Sequence, residues 1–437
     1  MARTVLKVLV GSAALAAAVW LLFFAGASEE DRLRVCFWGA FEEWEMWQRI
    51  AEAFERRHPA IRVKLEYYPG DRYNDKVRVM LASGKPTDVI LFQDEPFPPF
   101  CEFGKFEDLT PYLGREGEGL DLDRDYWPTA VQSFRWRGRT YGVPVWGGNN
   151  LIYINKDQFD RLGVPYPRED WTVDDFLRTC RALTRDLDRD GRIDAYGFTP
   201  PYWLYWLPLL HAFGARLLEA EGPYPIEASR ARWAFQGPEA LAAVRFAQDL
   251  VWKEHVAPRE GEAGQIGQNV LFLTGRVAMF TSGPWEMPFL NRTDLRWDVV
   301  HVPRGPAGRG TRVTWDALVI AADSRRKDEA WTFIRFCAGR EAQEIVARTQ
   351  RSVPALVAVK DLFVEARPNR QVHVERFIEA MAYARMQPIT DQWEKMATPV
   401  TQEFSTLLRD PAYTPEAMLR KLAQRQESVF RPRRDSP

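Results

Sequence analysis

The sequence is poor in the residue types that build disulfide frameworks and zinc sites. Its 437 residues include four cysteines and five histidines. The cysteines are dispersed, without CxxC spacing, and lie in apolar contexts, so we predict buried free thiols. The histidines show no HExxH or other metal-ligand spacing. Neither residue type therefore indicates a metal centre or a disulfide-stapled fold.

An excess of charge of one sign is also lacking. The chain has 59 basic and 60 acidic residues, a formal net charge of -1, which offers no attraction to nucleic acid or to an anionic membrane surface. There is no G-x-S-x-G, no HExxH and no P-loop. The Gly-rich segment 305–310 lacks the Lys-Ser/Thr of a phosphate site. The sequence therefore indicates neither nucleic-acid binding nor a recognised class of enzyme.

The long apolar run of the sequence lies at the N-terminus. Arg3 and Lys7 lead into the apolar segment Val8–Phe24, and residues 25–27 have the A-x-A form of a cleavage site. We therefore predict a signal peptide over residues 1–27 and a periplasmic or other extracytoplasmic location. The alternative is an uncleaved N-terminal helix that tethers the protein to a membrane, although the run is slightly short for a spanning helix.

The length and the order of the elements indicate two α/β lobes. A chain of 437 residues is too long for one ordinary core. Near its start, the apolar strand pattern Leu33–Trp38, the amphipathic helical pattern over residues 41–57 and the alternating pattern Ile61–Tyr67 follow one another. Strand, helix, strand predicts a crossover unit with parallel strands.

The segment Tyr141–Phe159 predicts a crossing between the two lobes. Gly147-Gly148 interrupts the strand pattern, and the continuous apolar run Leu151–Ile154 after it predicts a fully buried strand. A chain that leaves one core, loosens at a glycine pair and enters a second core passes between domains. A ligand cleft is expected beneath this crossing.

Several short motifs resemble those of one protein family. They are Tyr141–Pro144 with Tyr153–Asp157, the turn Gly84–Val89 before a buried strand, the segment Leu109–Leu113, and the run Phe272–Met279 that leads into Gly283-Pro284-Trp285. With them the chain resembles the extracellular solute-binding proteins of ABC importers, and among these the sugar-binding branch that includes maltose-binding protein. The resemblance extends over nearly the whole mature chain, and because it is to a family it does not name the sugar.

The resemblance implies the class II type of the periplasmic-binding-protein fold. In this α/β fold each of two lobes has a central, mainly parallel sheet flanked by helices, and three segments form the hinge. The N-terminal lobe would comprise residues 33–145 and 318–354, and the C-terminal lobe residues 146–317 and 355–430. Residues 431–437 would form a frayed tail.

The resemblance also implies a function. The protein would be the extracytoplasmic substrate-binding protein of an ABC importer, a monomer that captures a sugar or oligosaccharide between its lobes and delivers it to a membrane permease. It would catalyse no reaction and require no cofactor. One alternative is a secreted carbohydrate-active enzyme, which needs two carboxylates poised across a cleft. Another keeps the fold and binds a polyamine, a peptide or a phosphodiester, depending on the charge of the cleft.

The candidate ligand-binding residues are aromatic, acidic, amide and guanidinium side chains expected at the cleft. Ligands of open parallel sheets bind beyond the carboxyl ends of the strands. Aromatic rings suit the apolar faces of sugars, and polar groups bond to the hydroxyls. In the family, the Trp that corresponds to Trp285 lies against the sugar. The predicted set is Trp38, Glu43, Asp71, Gln93, Asp94, Trp146, Asn149, Tyr202, Trp203, Trp285, Glu286, Trp315, Asp316 and Arg351.

An acidic loop is a candidate metal site. Residues 186–194 match the first half of a calcium loop, with a turn glycine at position 6. The carboxylates at positions 1, 3, 5 and 9 are Asp186, Asp188, Asp190 and Asp194. Position 12, normally a bidentate Glu, is Gly197, so the loop is not a complete EF-hand. Two interpretations stay open: a structural calcium ion, or a polar loop whose Asp residues cap turns.

Overall fold

The structure of the protein is a computed structural model. It describes residues 31–39, 41–84, 87–115, 120–199, 203–220, 224–259, 262, 266–368 and 371–430. The predicted signal peptide and the predicted tail lie outside these residues. Within the described ranges, none of the helices is both long enough and apolar enough to cross a membrane.

The described residues form fourteen strands, most of them short. They are β1 Leu33–Trp38, β2 Val63–Tyr68, β3 Val89–Gln93, β4 Arg135–Trp136, β5 Arg139–Thr140, β6 Gly142–Asn149, β7 Leu151–Asn155, β8 Leu218–Ala220, β9 Ala231–Trp233, β10 Met279–Ser282, β11 Trp297–Val300, β12 Thr311–Ile320, β13 Val353–Pro354 and β14 Ala384–Met386.

Helices connect and cover these strands. The α-helices of the described part are α1 Phe41–Arg57, α2 Gly70–Ala82, α3 Phe97–Glu102, α4 Thr110–Leu113, α5 Leu122–Asp125, α6 Pro128–Ser133, α7 Lys156–Leu162, α8 Val173–Leu183, α9 Trp203–Phe213, α10 Gly237–Trp252, α11 Gln268–Leu273, α12 Met287–Leu290, α13 Lys327–Ala338, α14 Arg340–Thr349, α15 Lys360–Glu365, α16 Glu375–Glu379, α17 Trp393–Arg409 and α18 Pro415–Glu427. Short 3-10 turns occupy Ala228–Arg230, Pro284–Glu286, Val357–Val359 and Ala380–Tyr383.

The larger sheet has seven strands, in the order β13-β6-β12-β3-β1-β2, with β14 paired to β12. Strand β1 runs parallel to both β2 and β3, as the predicted crossover unit requires. Strand β12 runs antiparallel to β3 on one side and to β6 on the other. The sheet is therefore parallel at one end and antiparallel in its middle, where β6 and β12 lead to the second lobe.

The sheet of the second lobe corrects one prediction. It has three strands in the order β10-β7-β11, and both neighbours of β7 run antiparallel to it. The expectation of a mainly parallel sheet in each lobe is wrong for this sheet. The apolar run of β7 is completely buried, as predicted, but burial on both faces does not require parallel neighbours when side chains cover an antiparallel sheet on both sides.

The apolar core follows the two lobes of the fold. One cluster packs around β1, β3 and β12 with Trp47, Phe54 and Trp331 from the covering helices. Two further clusters surround the small sheet, one around helix α9 and one around Phe280 and Phe377. The four cysteines are buried and unpaired, as predicted.

The lobes are joined through continuous strands. The predicted boundaries at 145/146 and 317/318 fall inside β6 and β12, which pair with each other from Val313 opposite Asn149 to Val319 opposite Gly142. The exact boundaries stay a prediction. An ion pair between Arg78 of α2 and Glu394 of α17 also links the two sides.

The acidic loop follows helix α8, whose start is fixed by a capping box between Thr172 and Asp175. Carboxylate oxygens of Asp186, Asp188 and Asp194 lie within 4.8 Å of one another. Backbone N–H groups already donate to them, for example Gly191 N to Asp186 Oδ2 at 2.9 Å. The loop thus combines convergent carboxylates with turn-capping bonds, and the calcium hypothesis stays a prediction.

A calcium ion held by these carboxylates would stabilise the folded protein. At a free calcium concentration 100 times the dissociation constant, the gain is about 2.7 kcal/mol. We therefore expect a chelator to lower the melting temperature and added calcium to restore it. The variant Asp186→Asn/Asp188→Asn should lose this response, whereas Asp170→Asn, an exposed carboxylate outside the loop, should keep it. Identical melting curves with chelator and with calcium would leave turn capping as the role of the loop.

Candidate functional site

A cavity of about 230 Å³ lies at the carboxyl ends of β1 and β3, beside strand β12 in the middle of the larger sheet. Residues of both lobes line it, so it lies at the seam between them. The lining residues are Trp38, Gln93, Gly147, Tyr205, Trp285, Arg312, Thr314, Asp316, Arg351 and Ser352.

Strand β12 forms the floor of the cavity. Side chains alternate between the two faces of a strand, so Arg312, Thr314 and Asp316 share one face and line the cavity in a row. Trp315 between them points to the opposite face and is completely buried. Asp316 stands opposite Gln93 of β3 in the strand register, which brings a carboxylate and an amide to the same end of the row.

Aromatic side chains form the walls. Trp38 comes from the end of β1, Tyr205 from helix α9 and Trp285 from the turn after β10. The rings of Tyr205 and Trp285 have their centroids 6.2 Å apart, with 38° between their planes. A Cβ atom at Gly148 would lie 2.7 Å from the Cδ atom of Pro284. The glycine of the predicted crossing therefore lets the Trp285 turn approach the sheet closely.

A buried ion pair lies at one end of the row. Arg312 pairs with Glu95, which follows β3, and side-chain exposures of 7% and 9% mark both as buried. The Arg312 Nε atom donates to Gln387 Oε1 at 2.8 Å, and the guanidinium lies 5.9 Å from the ring centroid of Tyr205. The nearby carboxylate of Glu95 raises the pKa of Arg312 despite its burial. The guanidinium therefore stays charged.

A second ion pair involves another lining residue of the cavity. Arg351, between α14 and β13, donates through Nε to the carboxylate of Glu43 at the start of α1. Glu43 is 5% exposed and Arg351 is 22% exposed, with part of the guanidinium on the cavity. The charge of each cavity arginine is thus balanced by a carboxylate behind it.

Two carboxylates near the cavity hold their protons more tightly than usual. Burial, with a smaller contribution from Glu95, raises the pKa of Asp316 to about 8. Its Oδ2 atom accepts a bond from Trp146 Nε1 at 2.9 Å. Burial likewise raises the pKa of Glu286, whose Oε1 accepts from Ser282 Oγ at 2.9 Å.

Asp94 belongs to the framework beneath the cavity. It is 1% exposed and accepts from Thr314 Oγ1 at 2.8 Å and from Gln387 Nε2 at 3.0 Å. Burial, with a contribution from the neighbouring Glu95, raises its pKa well above the ordinary value. Its bonds tie the end of β3 to β12 and to the segment after β14.

The structure brings part of the predicted ligand set together on the cavity. Trp38, Gln93, Trp285, Asp316 and Arg351 line it directly. A second group lies behind this lining, in contact with it: Glu43 on Arg351, Trp146 on Asp316, Asp94 on Thr314, and Glu286 next to Trp285 in sequence.

Other predicted residues lie elsewhere. Trp203 is 2% exposed and packs against Trp393, and Trp315 donates through Nε1 to Thr129 inside the first lobe. Asn149 is buried and donates to the carbonyl of Phe377. These three predictions are corrected, because tertiary packing places the side chains on the core faces of their elements. Tyr202 and the side chain of Asp71 lie outside what the structure describes.

Five lining residues are absent from the set predicted from the sequence. They are Gly147, Tyr205, Arg312, Thr314 and Ser352. Period-two alternation back from Asp316 identifies Thr314 and Arg312 once β12 is recognised as the floor. Helix α9 has apolar residues on nearly all sides, so its sequence carried no signal for the face on which Tyr205 lies.

Comparison with known proteins agrees with this architecture. A family model of bacterial extracellular solute-binding proteins matches residues 45–344. A putative binding protein of Brucella abortus (strain 2308) is 22% identical over 434 residues, which cover 96% of this chain and 98% of the relative.

Two solved structures have a similar fold. An ABC substrate-binding protein from Listeria monocytogenes in complex with cycloalternan gives a TM-score of 0.81 at 22% identity, covering 91% of this chain and 98% of that one. An ABC transporter solute-binding protein from Thermotoga lettingae bound with alpha-D-tagatose gives 0.77 at 21% identity, with coverages of 92% and 100%. The two-lobed fold predicted from the sequence is confirmed. Because the family model matches more than half of the sequence, this chain belongs to the bacterial extracellular solute-binding proteins.

Proposed function

We propose that this protein captures a sugar or a related polyol between its lobes and releases it unchanged to the permease of an ABC importer. The observation that carries the proposal is the lining of the cavity, in which three aromatic side chains, Trp38, Tyr205 and Trp285, surround a floor of hydrogen-bonding groups. Sugars present apolar C–H faces and a rim of hydroxyls, and this lining offers a partner to each.

The charges of the site favour a neutral ligand. Arg312 and Arg351 would attract a phosphodiester if they were free, but Glu95 and Glu43 already pair with them. A polyamine would need several ionised carboxylates, and Asp316 is the one carboxylate among the described lining residues. A neutral, hydroxyl-rich molecule therefore fits better than either ion.

The presence of a single carboxylate among the described lining residues also argues against a carbohydrate-active enzyme. Glycoside hydrolysis ordinarily uses two carboxyl groups that flank one glycosidic bond, one as acid and one as base or nucleophile. Among the described lining residues, Asp316 is the one carboxylate. The nearby Glu286 does not line the cavity, and its carboxylate accepts a hydrogen bond from Ser282. Binding without turnover is the activity that this arrangement supports.

Membership in the family supports the remaining parts of the proposal. An extracellular solute-binding protein acts outside the cytoplasm, and lobe closure around a ligand creates a combined surface that a membrane partner can recognise. We propose that this partner is a permease and that the protein reaches it as a monomer. The N-terminal segment would direct export, whether or not it is cleaved.

A thermal-shift screen against sugars, polyols, polyamines and peptides tests the ligand class. A ligand at 100 times its dissociation constant should stabilise the protein by about 2.7 kcal/mol. We expect stabilisation by at least one sugar or polyol and unchanged ligand on chromatography afterwards. Cleavage of the sugar at catalytic rates, or stabilisation by polyamines or peptides alone, would contradict the proposal.

Trp285 is expected to supply a stacking face to the ligand. Trp285→Ala should weaken binding by about 1–3 kcal/mol, the scale of a lost aromatic contact, with little change in the stability of the apo protein because the ring is only partly buried. Trp285→Phe should fall between. Calorimetric titration and denaturant unfolding of the apo protein measure the two effects. The control Trp252→Ala removes a similarly half-buried indole that does not line the cavity; equal affinity losses in both variants would refute the stacking role.

Asp316 should make the apo protein less stable as the pH rises. Its pKa is about 8 in the folded state, against about 3.9 in an unfolded chain. Between these values the folded state holds a proton that the unfolded state has lost, so the free energy of unfolding falls with increasing pH. Asp316→Asn removes this titration.

We therefore expect denaturant unfolding of apo Asp316→Asn to show a smaller loss of stability between pH 5 and pH 8 than the wild type. Glu286 and Asp94 contribute in the same direction in both proteins, so the difference between the two isolates Asp316. Asp75→Asn, an 84% exposed carboxylate, is the control and should follow the wild type. The same pH dependence in Asp316→Asn and wild type would disprove the expectation.

A further inference from the structure

We infer that two neighbouring ion pairs on the surface, Arg78–Glu394 and Arg137–Glu227, hold the two lobes together and make their opening depend on ionic strength. We call these two pairs the latch. The inference rests on the proposed function in one respect, that opening of the lobes admits the ligand to the cavity. Its test uses the protein without ligand, so a failure of the latch and a failure of ligand binding are distinguishable.

Each pair of the latch joins one lobe to the other. Arg78 and Arg137 are close in sequence to residues of the core around β1, β3 and β12. Glu394 and Glu227 are next in sequence to residues of the core around α9. The Arg137 Nη2 atom lies 3.6 Å from Glu227 Oε2, and the guanidinium of Arg78 contacts the carboxylate of Glu394 directly. Separation of the lobes therefore breaks both contacts.

In the first lobe, both arginines lie beside helix α3. Arg78 lines a surface groove together with Pro99 and Phe100 of this helix. The Arg137 Nη2 atom lies 3.0 Å from the Oε1 atom of Glu102, the last residue of α3. The arginines of the latch therefore belong to one surface region of the first lobe.

In the second lobe, the segments that carry the two glutamates are bonded to each other. The backbone N–H of Ala228, next to Glu227, donates to Asp391 Oδ1 at 2.7 Å. A β-bridge joins the same two segments. Glu394 follows shortly after Asp391, in the first turn of α17. The two pairs thus connect one region of the first lobe with one region of the second, and they can act together.

The side chain of Arg137 is oriented within its own lobe. Arg137 and Gly138 form the turn between β4 and β5, and both have the positive φ, 48° and 77°, that tight two-residue hairpins use. Glu102 pairs with the guanidinium, which lies 5.7 Å from the ring centroid of Trp136. Contact with Glu227 across the seam therefore costs little additional side-chain entropy.

The latch is weak enough to open. Its four side chains are between 22% and 56% exposed, and exposed ion pairs each stabilise by a modest amount that salt screens. Two conformations of a binding protein differ little in free energy, so two such pairs together can decide which one is populated. A third contact between the lobes, Arg292 to Glu45 at 3.8 Å, is longer than both and stays unaltered in the variants below.

Small-angle X-ray scattering of the ligand-free mature protein measures the fraction of closed molecules. The Debye length is about 30 Å at about 10 mM salt and about 3 Å at about 1 M. We expect the wild type to be closed at the low concentration and its radius of gyration to rise at the high one. Arg78→Glu and Glu227→Gln should each lower the ratio of closed to open molecules about two- to fivefold at low salt, the effect of one exposed ion pair. A wild type with the same radius of gyration at both concentrations would overturn the inference.

A charge exchange separates the latch from a change in net charge. Arg78→Glu/Glu394→Arg restores an attractive pair and should return the closed fraction to that of the wild type. The control Arg57→Glu makes the same charge change at Arg57–Glu341, a pair within the first lobe, and should stay closed. Equal opening of Arg57→Glu and Arg78→Glu, or an exchange that does not restore closure, would contradict the latch. Circular dichroism checks folding; if Arg78→Glu does not fold, Glu227→Gln and the salt response of the wild type decide the inference.

Discussion

The guanidinium of Arg312 is a buried charge that must be neutralised, and much of the molecule is arranged around that requirement. A lone charge in this position would be very costly to bury. Its partners Glu95, Gln387 and Asn150 come from three separate parts of the chain. One electrostatic constraint therefore holds together the floor strand, the end of the neighbouring strand and the crossing between the lobes. Asp94 extends the same network by bonding to Thr314 and Gln387.

The sheet that carries this network explains why the site lies at the seam. Strand β12 is antiparallel to both β3 and β6, so its cavity-facing residues meet the carboxyl end of β3 and the glycines of β6. Gly148 leaves room for the turn that carries Trp285, which comes from the second lobe, whereas Gly147 leaves room for the ring of Trp315. The candidate site thus lies where a sheet of one lobe meets a turn and a helix of the other.

Local sequence patterns predict part of this arrangement. The β1–α1–β2 unit followed from periodicity, and Trp285 and Asp316 from motifs and strand position. The direction of the strands beside β7 did not follow, because burial alone does not distinguish the two pairings. For helix α9 the prediction is wrong: it places Trp203 at the cavity, but Trp203 is buried and Tyr205 lines the cavity. Residues two positions apart, such as Trp203 and Tyr205, point about 200° apart around a helix. A helix that is apolar on all sides gives no indication of which of them faces the cavity.

The site combines a hydrogen-bonded framework with side chains that have no hydrogen-bond partner among the described residues. The lining residues Arg312 and Arg351 are paired with the carboxylates of Glu95 and Glu43. No hydrogen bond to a described residue is formed by the side chains of Gln93, Tyr205 and Ser352 or by one oxygen of Asp316. An ionic ligand would have to compete with Glu43 and Glu95 for charges that are already neutralised. A neutral ligand needs only the unused donors and acceptors, and it leaves both ion pairs intact. Because polar groups buried without partners cost free energy, a molecule that satisfies all of them gains affinity over one that satisfies some, and selectivity among neutral ligands follows from the number and placement of their hydroxyls.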